Sequence, residues 1–115
     1  MIKNTQEITV IENARGGIGS IEMHKKITIE DQVEGLSLFA KVVVNPHSTI
    51  GYHQHTDDAE AYYVVKGEGI FLDHNEERVP VKAGDLCLIK KGQSHGMENL
   101  TDYELEMIAV VYQGE

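Results

Sequence analysis

From residue 18 to residue 112 the chain is one short alternating run after another, and no window of it keeps a convincing helical period. In "IGSIEMHKKITI" (18–29), Ile21, Met23, Ile27 and Ile29 fall on one face and Glu22, His24 and Lys26 on the other. The series continues through "LSLFAKVVV" (36–44), "EAYYVVKG" (60–67), "GIFLDH" (69–74), "ERVPVKA" (77–83), "DLCLIK" (85–90) and "YELEMIAVVY" (103–112). β-Branched and aromatic residues dominate these runs, as pleated strands prefer. Turn signals separate them at Asn45-Pro46, Lys66-Gly67, His74-Asn75, Ala83-Gly84 and Gly92. Short strands at such regular spacing predict an all-β sandwich or barrel.

Two strands demand cover on both sides. In "AYYVV" Tyr62 and Val64 share one face and Tyr63 and Val65 the other. In "YELEMIAVVY" the face that begins with Glu104 and Glu106 turns apolar at Ile108, Val110 and Tyr112. A lone small sandwich leaves one of these faces wet, so a partner subunit or a second sheet layer is expected against it. A C2 homodimer is the commonest solution.

Composition narrows the function classes. A length of 115 residues suits a single domain, 1–115, that buries a core without staples. The net charge of −9, with only Arg15 and Arg78 as arginines, excludes a phosphate-binding surface for nucleic acid. No apolar run approaches the roughly 20 residues of a membrane helix, and "MIKNTQEITV" is too polar for a signal-peptide core. With Cys87 as the single cysteine, no internal disulfide can form, and a reducing cytoplasm is the expected compartment.

The chemistry concentrates in "GYHQHTDDAEAYYVVKGEG" (51–69) and "GDLCLIKKGQSHGMEN" (84–99). His53 and His55 are two residues apart and point the same way on a strand. Glu60 opens the next strand on the face of Tyr62 and Val64, and His95 heads another after a glycine turn. Three imidazoles and a carboxylate suit a divalent transition metal. Four protein ligands leave two adjacent octahedral positions open, which is what a reactive or ligand-binding metal needs.

These segments resemble the cupin family. His53-Gln54-His55, then Glu60 and Gly67, resembles its first motif, G(X)5HXH(X)3–4E(X)6G. Gly84, Gly92, His95 and Asn99 resemble its second, G(X)5PXG(X)2H(X)3N. Two turn positions depart: His47 replaces the first motif's glycine, and Lys90 replaces the second's proline. The resemblance covers residues 36–112 as a barrel core and residues 1–35 loosely, as an N-terminal arm and strands. It implies a double-stranded β-helix, the cupin jelly-roll barrel. It also implies one divalent metal per chain (Mn, Fe, Ni, Co or Zn) held by His53, His55, Glu60 and His95. In cupins the N-terminal arm often crosses to a neighbouring subunit, and residues 1–20 are placed to do so.

Other residues carry less. His24 and His74 read as surface histidines, His47 as a loop histidine, and Asp57 and Asp58 as turn residues. Cys87, between Leu86 and Leu88, reads as a buried, inert thiol. Met97, Met107, Tyr62, Leu38, Ala40 and Val42 fall on faces that should line the barrel.

A divalent metal with one glutamate carries a local charge of about +1, which favours a small chelating anion such as oxalate or a 2-oxo acid. The segment around Arg15 resembles the arm of small cupins proposed to act on oxalate-like acids, and it offers one cation to anchor a carboxylate. The expected activity is a metal-dependent decarboxylase or dioxygenase on a small carboxylate. The alternative is a non-catalytic module that binds or senses one. Arg15, Tyr62, Met97 and Met107 are the candidate substrate contacts, and Tyr62 is the candidate catalytic hydroxyl.

Overall fold

The computed structural model describes residues 1–5 and 7–113. Among them, ten strands form two antiparallel sheets packed face to face. In chain order the strands are β1 (Ile8–Glu12), β2 (Ser20–Thr28), β3 (Leu36–Val44), β4 (Ser48–Gln54), β5 (Ala59–Lys66), β6 (Glu68–Leu72), β7 (Arg78–Lys82), β8 (Leu86–Ile89), β9 (Ser94–Asn99) and β10 (Leu105–Tyr112). One sheet has the order β1-β2-β3-β10-β5-β8 and the other β4-β9-β6-β7. This is the all-β double-stranded β-helix expected from the sequence.

The inner faces follow the alternation of each strand. Ala40, Val42 and Val44 on β3, Leu105, Met107 and Ala109 on β10, and Tyr62 and Val64 on β5 are buried from one side. Ile50, Met97, Phe71 and Val81 meet them from the other. Met97 and Met107 are fully buried, and burying each such side chain contributes about 1.5–3 kcal/mol. Asn99, at 0% exposure, ties the sheets together. Its Nδ2 donates to the carbonyls of Val44, Asn45 and Tyr103, and its Oδ1 accepts from the Thr101 N–H and Oγ1.

Three local features differ from a plain reading of the sequence. Residues 8–12, inside the stretch expected to be an arm, form β1 and pair with β2 of the same chain (Ile8 opposite His24 through Glu12 opposite Ser20). β2 slips register between Lys25 and Ile27, so Ile27 pairs with Phe39 and leaves the face of Ile21 and Met23 on which the alternation placed it, and Ile29 leaves the strand for a short turn capped by Thr28 and Asp31. β4 carries a bulge: Ile50 pairs with Met97, yet His53, not Tyr52, pairs with His95.

The two departures from the cupin motifs leave their loops intact. His47 adopts the left-handed conformation that the motif glycine would take, φ 55°, and its Nε2 lies 2.6 Å from Asp102 Oδ1. The Lys90 N–H donates to Gln93 Oε1 at 3.0 Å, a bond that a proline could not make.

Candidate metal centre

The bulge in β4 creates the site. In an unbroken strand, Tyr52 and Gln54 would share the inward face of Ile50. One extra residue reverses the phase, so His53 turns inward beside Ile50 and Tyr52 turns out. The Tyr52 hydroxyl then accepts from the backbone N–H of Asn75 at 3.0 Å and of Glu76 at 3.3 Å. His55 follows the end of β4 and is fixed by its backbone: its N–H donates to Gln93 O and its carbonyl accepts from Gly92 N–H. His95 stands opposite His53 on β9. Glu60 reaches the same point from the other sheet, on the face of Tyr62 and Val64.

The donor atoms converge closely. His55 Nε2 and His95 Nε2 are 3.0 Å apart, and each lies 3.0 Å from Glu60 Oε1. With His53, the four ligand atoms all lie within 4.8 Å of one another. His55, Glu60 and His95 are buried, and His53 is half-buried. The His95 ring is held from the side by Tyr62, stacked at a centroid distance of 4.9 Å and 16° between planes.

Hydrogen bonds on the far side of two rings set their tautomers. His53 Nδ1 donates to the Gly51 carbonyl at 2.7 Å, and His55 Nδ1 donates to Asp58 Oδ1 at 2.6 Å. Both Nε2 lone pairs are therefore turned toward Glu60 and His95. His53 Nε2, His55 Nε2 and Glu60 Oε1 are thus acceptors turned toward one point, an arrangement that favours a cation there, whether proton or metal. The spacing fits a metal. Donors about 2.1 Å from a common ion and about 90° apart are separated by about 3.0 Å, whereas tetrahedral donors stand about 3.4 Å apart. The 3.0 Å separations among His55, His95 and Glu60 are of this size, and His53 stands farther off, within 4.8 Å.

Electrostatics agree with that arrangement. Burial tends to raise the Glu60 carboxyl, but hydrogen bonds and charge from His55 and His95 overcome it and hold it down at about 2. The bond to Glu60 raises the His55 imidazole, against burial and with help from Asp58. Burial lowers His53, which favours the neutral ring a metal needs. Burial, then the charge and hydrogen bond of Glu60, push the Tyr62 hydroxyl well above its usual range. It is therefore a proton donor only to a strong base.

A cavity of about 340 Å³ opens onto the centre between the sheets. Its polar lining comprises His53, His55, Asp58, Glu60, Tyr62 and Arg15, and the rest is aliphatic. Arg15 is carried on a tight turn at Ala14–Gly16, with φ 53°. That turn is seated on β4: a Cβ at Gly51 would lie 2.1 Å from the Arg15 carbonyl oxygen, so glycine is required there. A second groove of similar volume, about 360 Å³, flanks β6 and β7 near Pro80 and Leu100 and holds no ligand set.

The sequence candidates therefore divide. His53, His55, Glu60 and His95 come together, with Tyr62 against them and Arg15 on the cavity lining. Leu38 and Val42 line the cavity, while Met97, Met107 and Ala40 belong to the packed core. His24 pairs with Glu22 at 3.3 Å, and His74 accepts the Ser94 N–H on Nδ1 at 3.2 Å; neither lines the cavity. Asp58, read from sequence as a turn residue, is a partner of His55. Its offset of three residues from a ligand histidine, ahead of the ligand glutamate, was the available signal.

Known proteins resemble this chain in sequence and fold. The family model described as "Cupin domain" matches residues 40–111. An oxalate-binding protein of Thermotoga maritima is 40% identical over 113 residues, covering 96% of this chain and 93% of its own. The crystal structure of a predicted oxalate decarboxylase from Thermotoga maritima superposes with a TM-score of 0.90 at 40% identity, covering 99% of this chain and 100% of that one. A double-stranded β-helix protein from Klebsiella pneumoniae gives a TM-score of 0.65 at 25% identity, with 72% of this chain and 71% of that one covered.

Proposed function

The chain belongs to the cupin family, and from that premise we propose that it binds one divalent transition metal through His53, His55, Glu60 and His95 and presents it to a small carboxylic acid, oxalate or a 2-oxo acid, for decarboxylase- or dioxygenase-type turnover. The observation that carries this reading is the inward set of acceptors, spaced 3.0 Å apart, with two imidazoles pinned from behind. The relatives named for oxalate support the ligand class.

When bound, such a metal supplies Lewis acidity and open coordination positions. The chain's own residues do the rest. Glu60 leaves a local charge of about +1, suited to an anion. Asp58 and the Gly51 carbonyl hold the two rings in the tautomer that leaves Nε2 free. The stacked Tyr62 ring fixes His95. Arg15 offers a second contact to a carboxylate from the cavity lining. The experiment is metal analysis of the purified protein, followed by carbon dioxide release and oxygen consumption with a panel of small acids. Absence of metal after loading with Mn, Fe, Co, Ni and Zn would overturn the reading.

One observation favours a second reading, a binding module without turnover. Among the described residues, the cavity lining holds no free acid or base: Asp58 is engaged with His55, and Tyr62 gives up its proton only with difficulty. Acid binding without either gas signal would select this second reading.

A further inference from the structure

The cavity is too large and too apolar for the smallest acids, and its shape bears on the ligand. Oxalate has six heavy atoms; at water's liquid share of roughly 30 Å³ per heavy atom, it takes up at most about half of the space. The remaining wall is aliphatic. Ile11, Met23, Leu38 and Val111 sit on the inner face of the six-stranded sheet, opposite or beside buried residues such as Ile21 and Val42. Ile21, Ala40, Val42 and Ala109 on that face are covered, yet these four are only partly buried. They border the cavity. An inner-face aliphatic row left in contact with water is unfavourable, and an apolar occupant would remove that cost. A second carboxylate pressed against the same row would be desolvated without a partner.

We infer that the ligand is a monocarboxylic 2-oxo acid whose acid end lies at the metal centre and Arg15, and whose aliphatic tail, roughly four to six carbons long, lies against Ile11, Met23, Leu38 and Val111. The tail length is what remains of 340 Å³ after a five-atom acid head, at roughly 30 Å³ per atom. This rests on the metal–carboxylate reading above and names its substrate class. The ligand would be polar at one end and oily at the other, as the cavity is.

The test is calorimetric titration of the full metal-loaded chain with oxalate, pyruvate, 2-oxobutyrate, 2-oxopentanoate, 2-oxohexanoate, 2-oxooctanoate and 2-oxodecanoate. Affinity should rise roughly fourfold per added methylene and level off near a six-carbon tail. A flat series, or oxalate as the tightest ligand, overturns the tail while leaving the small-acid reading standing. Failure of every acid, oxalate included, overturns both. Leu38→Phe narrows the apolar wall and should bring the plateau to shorter tails, with retained metal content reporting a folded centre. A plateau that does not move in that variant overturns the placement of the tail.

Discussion

Asp58 gives the sharpest test of the proposed metal centre, because it lies outside the four-residue set and acts only through His55. Its Oδ1 accepts from His55 Nδ1 at 2.6 Å with the carboxylate 28% exposed, which is short for such a bond and partly shielded from water. Removing it frees the ring to rotate and to exchange tautomers, and takes a negative charge from beside a cation. Loss of such a partner typically costs about 10–100-fold in metal affinity, or about 1.4–2.7 kcal/mol. The short bond places Asp58→Ala near the upper end. Asp58→Asn keeps a neutral acceptor of roughly half the strength and should fall nearer to tenfold. Asp57→Ala is the control, since Asp57 has its contact with Thr56 and none with a ligand ring. Competition between the protein and a chelator for Co(II), followed by calorimetry, reads all three variants. Wild-type affinity in Asp58→Ala, or equal losses in the Asp57 and Asp58 variants, would refute the reasoning. The first outcome denies the bond any role, and the second reduces it to general charge.

Further outcomes follow from the same geometry. His53→Ala combined with His95→Ala should give a folded chain without metal, read by circular dichroism and elemental analysis; full occupancy would mean the ion sits elsewhere. Metal-free protein should melt lower as pH climbs through the raised His55 value, because that imidazole then loses the proton it shares with Glu60. On the acid side, the contribution of Glu60, about 3 kcal/mol for a shift from 4.5 to about 2, is present above 4.5 and lost as pH falls toward 2. Metal loading should abolish the alkaline loss, and identical melting profiles with and without metal would contradict this. Arg15→Ala should weaken oxalate binding several-fold without weakening metal binding, as measured in parallel titrations. Tyr63, Val65, Leu86 and Leu88 are 42–64% exposed on the outer face of the six-stranded sheet, so light scattering should find two 12.8 kDa chains together. Leu86→Glu with Leu88→Glu should separate them; a monomeric wild type would remove the dimer.

The strands of the core were legible because each is a short apolar, β-branched or aromatic run closed by turn residues: β3, β5, β8 and β10 lie within a residue or two of the runs "LSLFAKVVV", "EAYYVVKG", "DLCLIK" and "YELEMIAVVY". The grouping of His53, His55 and Glu60 was legible from local spacing, whereas His95, 35 residues further on, was joined to them only through the resemblance to the second cupin motif. β1 was not legible, since "ITVIE" alone is as compatible with a loose arm as with an edge strand, and only its ladder with β2 decides. Nor was the bulge. Alternation counted from Ile50 would send His53 outward, and nothing in "STIGYHQ" announces the extra residue except Gly51, which could equally mark a turn. Asp58 was read as a turn residue because its bond to His55 depends on how the loop folds back. The seat of the Arg15 turn likewise depends on a missing Cβ across 36 residues of chain, a contact that no local pattern encodes.

Cys87 sits on the inward face of β8 at 5% exposure, where burial, then Asp85 and Asp73, push its thiol up to about 12. The native protein should therefore react only slowly with alkylating reagents at neutral pH. That slowness makes the chain a convenient host for labels. A cysteine introduced at an exposed site such as Tyr103, 78% exposed, can be modified selectively, with the native thiol as an unreactive background. The same sulfur can serve as a clock: its slow modification under native conditions would count how often β8 lifts away from β5, and the change in that rate on adding metal would show how far the centre's grip extends across the barrel.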